Sequence, residues 1–117
     1  MFNPFMWNRP AVDEVTPNEV SDLQSQKKDI LVLDVRTRQE YSGDLGHIKG
    51  SILVPLQSLW HHQDELEKYK EKEIIVACRS GQRSAEACRI LGESGFKVKN
   101  MRGGMILWNQ SGLPIER

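Results

Sequence analysis

Apolar and polar positions along this chain fall into blocks whose period changes from segment to segment. Ile30-Leu31-Val32-Leu33 is a continuous apolar run of strand length, and Ile74-Ile75-Val76-Ala77 is another. Such runs suit strands buried on both faces, as in a parallel sheet. Ser51-Ile52-Leu53-Val54 is a third, ended by Pro55. Phe96 to Met101 alternates imperfectly, with Phe96, Val98 and Met101 among Lys97, Lys99 and Asn100, and reads as a further strand. Between these runs the period lengthens. Thr16-Pro17-Asn18-Glu19 opens a helix: Thr16 caps it, Pro17 fits its first position and Glu19 completes a capping box. Val20 and Leu23 continue its apolar stripe. Leu59, Leu66 and Tyr69 recur at helical spacing between Leu56 and Tyr69. Ser84 to Ser94 predicts a helix with Ala85, Cys88 and Leu91 on one face and Gly95 as its C-cap. Gly103-Gly104 permits a sharp turn into a final short helix, Met105 to Gln110, which Gly112 and Pro114 stop. Short apolar strands alternating with helical segments predict an α/β fold with a mainly parallel sheet.

The length of 117 residues fits one domain with a single core. The expected division is an N-terminal arm over residues 1–11 and a domain over residues 12–117. The arm carries Phe2, Phe5, Met6 and Trp7 among Asn3, Pro4, Asn8 and Pro10. It reads either as an irregular strap over an apolar edge or as a partner-docking segment. Sixteen basic residues balance sixteen acidic ones, which argues against a general nucleic-acid binder. No apolar run approaches the ~20 residues needed to span a bilayer, so no membrane partner is expected. The start of the chain lacks a basic segment followed by an apolar one, and so shows no secretory signal. Cys78 and Cys88, if joined by a helix, would stand roughly 15 Å apart. That is beyond disulfide reach, so two free thiols and a cytoplasmic location are expected. The adjacent His61 and His62 lack zinc-type spacing, and no metal is expected. Lys68, Lys70 and Lys72 interleave with Glu67, Glu71 and Glu73 as a solvated mixed-charge segment.

The candidate chemistry lies in Cys78-Arg79-Ser80-Gly81-Gln82-Arg83-Ser84. A thiol ends a buried strand, the place where ligands bind in parallel α/β sheets. Gly81 frees the loop's backbone to turn successive N–H groups inward as an anion nest. The following helix adds unpaired N–H groups and the positive end of its dipole. A cysteine in this setting is expected to have a lowered pKa and to act as a nucleophile. Arg79 and Arg83 add positive charge able to hold an anionic substrate. Ser84 either hydrogen-bonds the sulfur or caps the helix. Cys88, on an apolar helical face, reads as a core residue.

Five motifs in order resemble a single-domain rhodanese, a sulfurtransferase, over about Val12 to Ile115. They are Leu33-Asp34-Val35-Arg36, Glu40-Tyr41, Gly46-His47-Ile48-Lys49-Gly50-Ser51-Ile52, the cysteine loop, and Gly103-Gly104-Met105 with Trp108 and Gly112-Leu113-Pro114. The resemblance implies a five-stranded, mainly parallel sheet flanked by helices on both faces. It implies transfer of a sulfane sulfur through a persulfide on Cys78. The implied donor is a small anion such as thiosulfate, and the acceptor is cyanide, a thiol or a sulfur-carrier protein. Arg79, Ser80, Gly81, Gln82, Arg83 and Ser84 would bind the substrate, and no metal or organic cofactor is needed. Asp34 and Arg36 are expected to hold loops beneath the site through ion pairing or hydrogen bonds, and His47 to pack a loop. Two rivals remain: a relay or non-catalytic interaction module, and a phosphatase or arsenate reductase. Only four residues separate Cys78 from Arg83, a ring expected to suit one sulfur atom better than a phosphate.

Overall fold

A computed structural model describes residues 11–117. The expectations placed on the aromatic arm fall on residues outside that range, Ala11 excepted. The capping box forms as expected: Thr16 Oγ1 accepts from the Glu19 N–H at 3.2 Å, and the Glu19 carboxylate accepts from the Thr16 N–H at 3.0 Å. It starts α1 (Pro17–Ser25), which follows the two-residue strand β1 (Glu14–Val15). The apolar run becomes β2 (Ile30–Asp34), and a second capping box at Thr37 starts the short α2 (Arg38–Tyr41). The run ended by Pro55 yields only β3 (Ile52–Leu53). Then come β4 (Glu73–Ala77), α4 (Gln82–Glu93), β5 (Lys97–Met101) and α5 (Gly104–Gln110).

The stretch from Leu56 to Tyr69 departs from the helix its spacing predicts. Leu56–His62 is a 3₁₀ helix, Gln63–Leu66 forms one α turn (α3), and Glu67–Tyr69 returns to 3₁₀. Pro55, before its first residue, makes no side-chain cap. Only Leu59 and Leu66 are buried along it, so packing pins the segment at two points without enforcing a continuous α-helical register.

The five strands form one sheet in the order β1-β5-β4-β2-β3, and all four pairings are parallel. Helices cover both faces. On one, Leu31, Leu33, Ile74 and Val76 pack with Leu59, Leu66 and the α4 residues Ala87, Cys88 and Leu91. Ala87 takes the place in the core that the spacing assigned to Ala85, which is half-buried. On the other face, Val32 and Ile75 pack with Val20 of α1 and with Met105 and Trp108 of α5. Because successive side chains in a strand point to opposite faces, the continuous apolar runs feed both layers. No helix among the described residues is long and apolar enough to cross a membrane.

Candidate active site

Cys78 follows directly on β4, at the carboxyl end of the sheet, and is 1% exposed. The chain then turns sharply into α4 through Gly81, which stands at the helix N-cap with φ +104. That left-handed conformation is costly for any side-chain-bearing residue. It brings the Gly81 N–H to 3.0 Å from Cys78 Sγ. The other side of the loop is held by α5. The Met105 N–H donates to the Cys78 carbonyl at 2.8 Å, and the Ile106 N–H to the Arg79 carbonyl at 3.1 Å. Peptide units are planar and trans, so a carbonyl tied to α5 turns the N–H of its own unit to the opposite side. Gly104 makes this contact feasible: a Cβ there would lie 2.5 Å from the Cys78 and Arg79 carbonyl oxygens.

Burial pushes the Cys78 thiol up. Hydrogen bonds from the backbone at Ser84, Gly81 and Ser80 work against that, and its pKa falls below the ordinary thiol value. Cys88 is also free and buried, but without such donors burial pushes it up to about 12.

Ser84, fully buried, places Oγ 3.2 Å from Cys78 Sγ. Its hydroxyl donates to Asn100 Oδ1, and Asn100 Nδ2 donates to the Gly81 carbonyl at 3.0 Å. Arg83 turns to Glu40, giving each carboxylate oxygen an N–H at 2.7 Å. The Arg83 bond holds the Glu40 carboxyl down at about 2. Arg79, Ser80 and Gln82 are exposed.

Asp34 and Arg36 are each 1% exposed and pair at 2.8 Å. Arg36 also donates to the Gly46 carbonyl at 2.7 Å and to the Glu40 carbonyl at 3.2 Å. This pair ties the end of β2 to α2 and to the Gly46 turn, with its buried donors satisfied. His47 stacks on Tyr41 with ring centroids 3.7 Å apart, and its Nδ1 lies 2.8 Å from the Tyr41 carbonyl oxygen. Its backbone exchanges hydrogen bonds with Glu116.

Glu40 and Asn100 are the site residues that the spacing does not single out. Glu40 stands in the Glu40-Tyr41 motif, but nothing in the spacing points to its partner Arg83, 43 positions away. Asn100 carried one signal: an amide in a strand that is otherwise apolar or charged must find partners if buried. A surface groove lined by Trp60, Cys88, Ile90, Phe96 and Val98 is separate, with none of residues 78–84 in its wall.

The sequence matches the family model described as "Rhodanese-like domain" over residues 16–111. The chain belongs to the rhodanese family. This rhodanese is 33% identical to a protein named sulfurtransferase from Allochromatium vinosum, covering 89% of this chain and 94% of that one. It is 35% identical to the uncharacterised protein YibN of Escherichia coli K12, over 91% of this chain and 73% of that one. Among solved structures, a rhodanese-like domain protein from Staphylococcus aureus superposes with a TM-score of 0.78 at 26% identity, covering 91% of this chain and all of that one. The thiosulfate sulfurtransferase of Pseudomonas aeruginosa superposes with a TM-score of 0.80 at 28% identity, over 91% of this chain and 20% of that one. Rhodanese-type sulfur transfer is the activity that this kinship supports.

Proposed function

We propose that the protein is a sulfurtransferase that carries a sulfane sulfur as a persulfide on Cys78. The observation that carries the reading is a thiol with lowered pKa, set at the end of a parallel strand and facing backbone N–H groups. The Cys78 thiolate attacks the outer sulfur of a donor such as thiosulfate. A bond forms between Sγ and that sulfur, the donor's S–S bond breaks, and sulfite leaves with the electron pair. The terminal sulfur now bears the negative charge, and the N–H groups of the loop stabilise it as an oxyanion hole would. A thiol, a sulfur-carrier protein or cyanide then takes the terminal sulfur and returns Cys78 to thiolate. A thiolate made by its surroundings needs no separate base, so His47 has only a packing role.

Arg83 meets an anionic donor with two of its N–H groups already on Glu40, so exposed Arg79 is the freer cation for recruitment. Asp34 and Arg36 hold the Gly46 turn and α2 in place. The four-residue spacing between Cys78 and Arg83 favours a single sulfur over a phosphate group.

The test is the intact mass of the reduced protein after incubation with thiosulfate or a low-molecular-weight persulfide. The expected product is one sulfur atom heavier, loses that sulfur to cyanide and is absent in Cys78→Ser. An adduct from persulfides alone identifies a relay that accepts sulfur from a protein. No adduct from any donor rejects the reading.

A further inference from the structure

A primary amide has one end that only donates and one that only accepts. The Gly81 carbonyl oxygen only accepts, and it takes the Asn100 N–H at 3.0 Å. This fixes which way the amide lies and turns Oδ1 toward Ser84. Oδ1 bears no hydrogen, so the Ser84 hydroxyl must donate to it. A hydroxyl has a single proton to give. With that proton spent on Asn100, Ser84 presents a lone pair to Cys78 Sγ at 3.2 Å. The lone pair accepts an S–H from the neutral thiol and opposes a thiolate.

Ionised Cys78 therefore competes with Asn100 for the same proton. If the hydroxyl rotates to the sulfur, Oδ1 loses its partner at a residue only 3% exposed, and an orphaned buried acceptor is costly. A persulfide makes no such demand on Sγ, because its charge lies on the terminal sulfur. The Asn100–Ser84 bond is thus compatible with the thiol and with the sulfur-loaded form, and works against the bare thiolate.

We propose that Asn100 is a positioning residue that commits the Ser84 hydroxyl away from the nucleophile and so restrains the ionisation of Cys78. The proposal rests on Cys78 as the working sulfur, but its test needs no sulfur donor. Failure to form a persulfide and failure of this restraint are therefore separate results. The titratable and charged groups around Cys78 are Arg83 and Cys88 on α4, Glu40 behind Arg83, the Asp34–Arg36 pair at the end of β2, and Arg79 beside it. All remain in every variant used here.

The measurement is the rate of Cys78 alkylation by iodoacetamide against pH, read on the Cys78 peptide. Asn100→Ala is expected to lower the midpoint by about 0.7 of a pH unit, the equivalent of one neutral hydrogen bond. In a Ser84→Ala background the same substitution is expected to leave the midpoint where it was. An upward shift, or an equal shift in both backgrounds, overturns the proposal, since Asn100 would then act through the shape of the loop. Should Asn100→Ala not fold, the infrared S–H band of the protein below its midpoint decides the matter. That band, identified by its loss in Cys78→Ser, is expected at lowered frequency through donation to Ser84 and to rise in Ser84→Ala. A band unmoved by Ser84→Ala overturns the proposal.

Discussion

Cys78 and Cys88 are both buried and both free, yet their surroundings pull their ionisation in opposite directions. The difference lies in donors: Cys78 sits at a helix start where N–H groups are unpaired, and Cys88 sits inside the helix where they are spent. Cys88→Ser is accordingly expected to leave persulfide formation within about twofold. It should cost about 1 kcal/mol or more of stability, because a hydroxyl replaces an apolar thiol in the core. Persulfide mass and urea unfolding check the two parts, and loss of the adduct in Cys88→Ser would reverse the roles assigned to the two thiols. At this scale the sequence was legible where chemistry and local chain direction coincide. Cys78, Gly81 and Ser84 lie within one turn of chain, and their arrangement follows from a strand–glycine–helix pattern. Glu40 and Asn100 were not legible as site residues, because what matters about them is a partner 43 or 16 positions away.

At the scale of elements, α5 shapes the cysteine loop as much as α4 does. Its first N–H groups bond the Cys78 and Arg79 carbonyls, so the loop is clamped between two helix starts. The Gly103-Gly104 pair reads in the sequence as a turn, and the structure gives Gly104 a second duty as the point of closest approach. Gly104→Ala is expected to cost about 2 kcal/mol or more. It adds a left-handed alanine, at φ +59, to a backbone clash at 2.5 Å. It should also slow Cys78 alkylation by displacing the loop, which separates it from a remote destabilising substitution with the same urea midpoint. The strands and the capped helices were readable because each carries a local signal, an apolar run or a box. The stretch from Leu56 to Tyr69 has helical apolar spacing, yet it breaks into 3₁₀ and α pieces, and its start lacks a side-chain cap.

Across the whole molecule, the Arg83–Glu40 pair joins α4 to α2 over a long span of chain. Glu40 has a folded pKa depressed to about 2 from an ordinary 4.5. Its contribution to stability is therefore fully present above about pH 4.5 and is lost as pH falls from there toward 2. Glu40→Gln is expected to flatten the stability profile across that window, measured as urea midpoint against pH, and to change its shape little near neutrality. An unchanged acid slope would mean that the pair is broken in solution.

The order of the strands has one further consequence. The three inner strands, β5, β4 and β2, have five residues each, whereas β1 and β3 at the two borders have two each. A border that short exposes little unpaired backbone for another chain to extend, so self-association by strand addition has almost no template among the described residues. The same economy governs visitors. Under the proposed function, a protein exchanging sulfur with Cys78 would find little strand edge to lengthen among the described residues, and would recognise the ends of loops and the side chains around them instead.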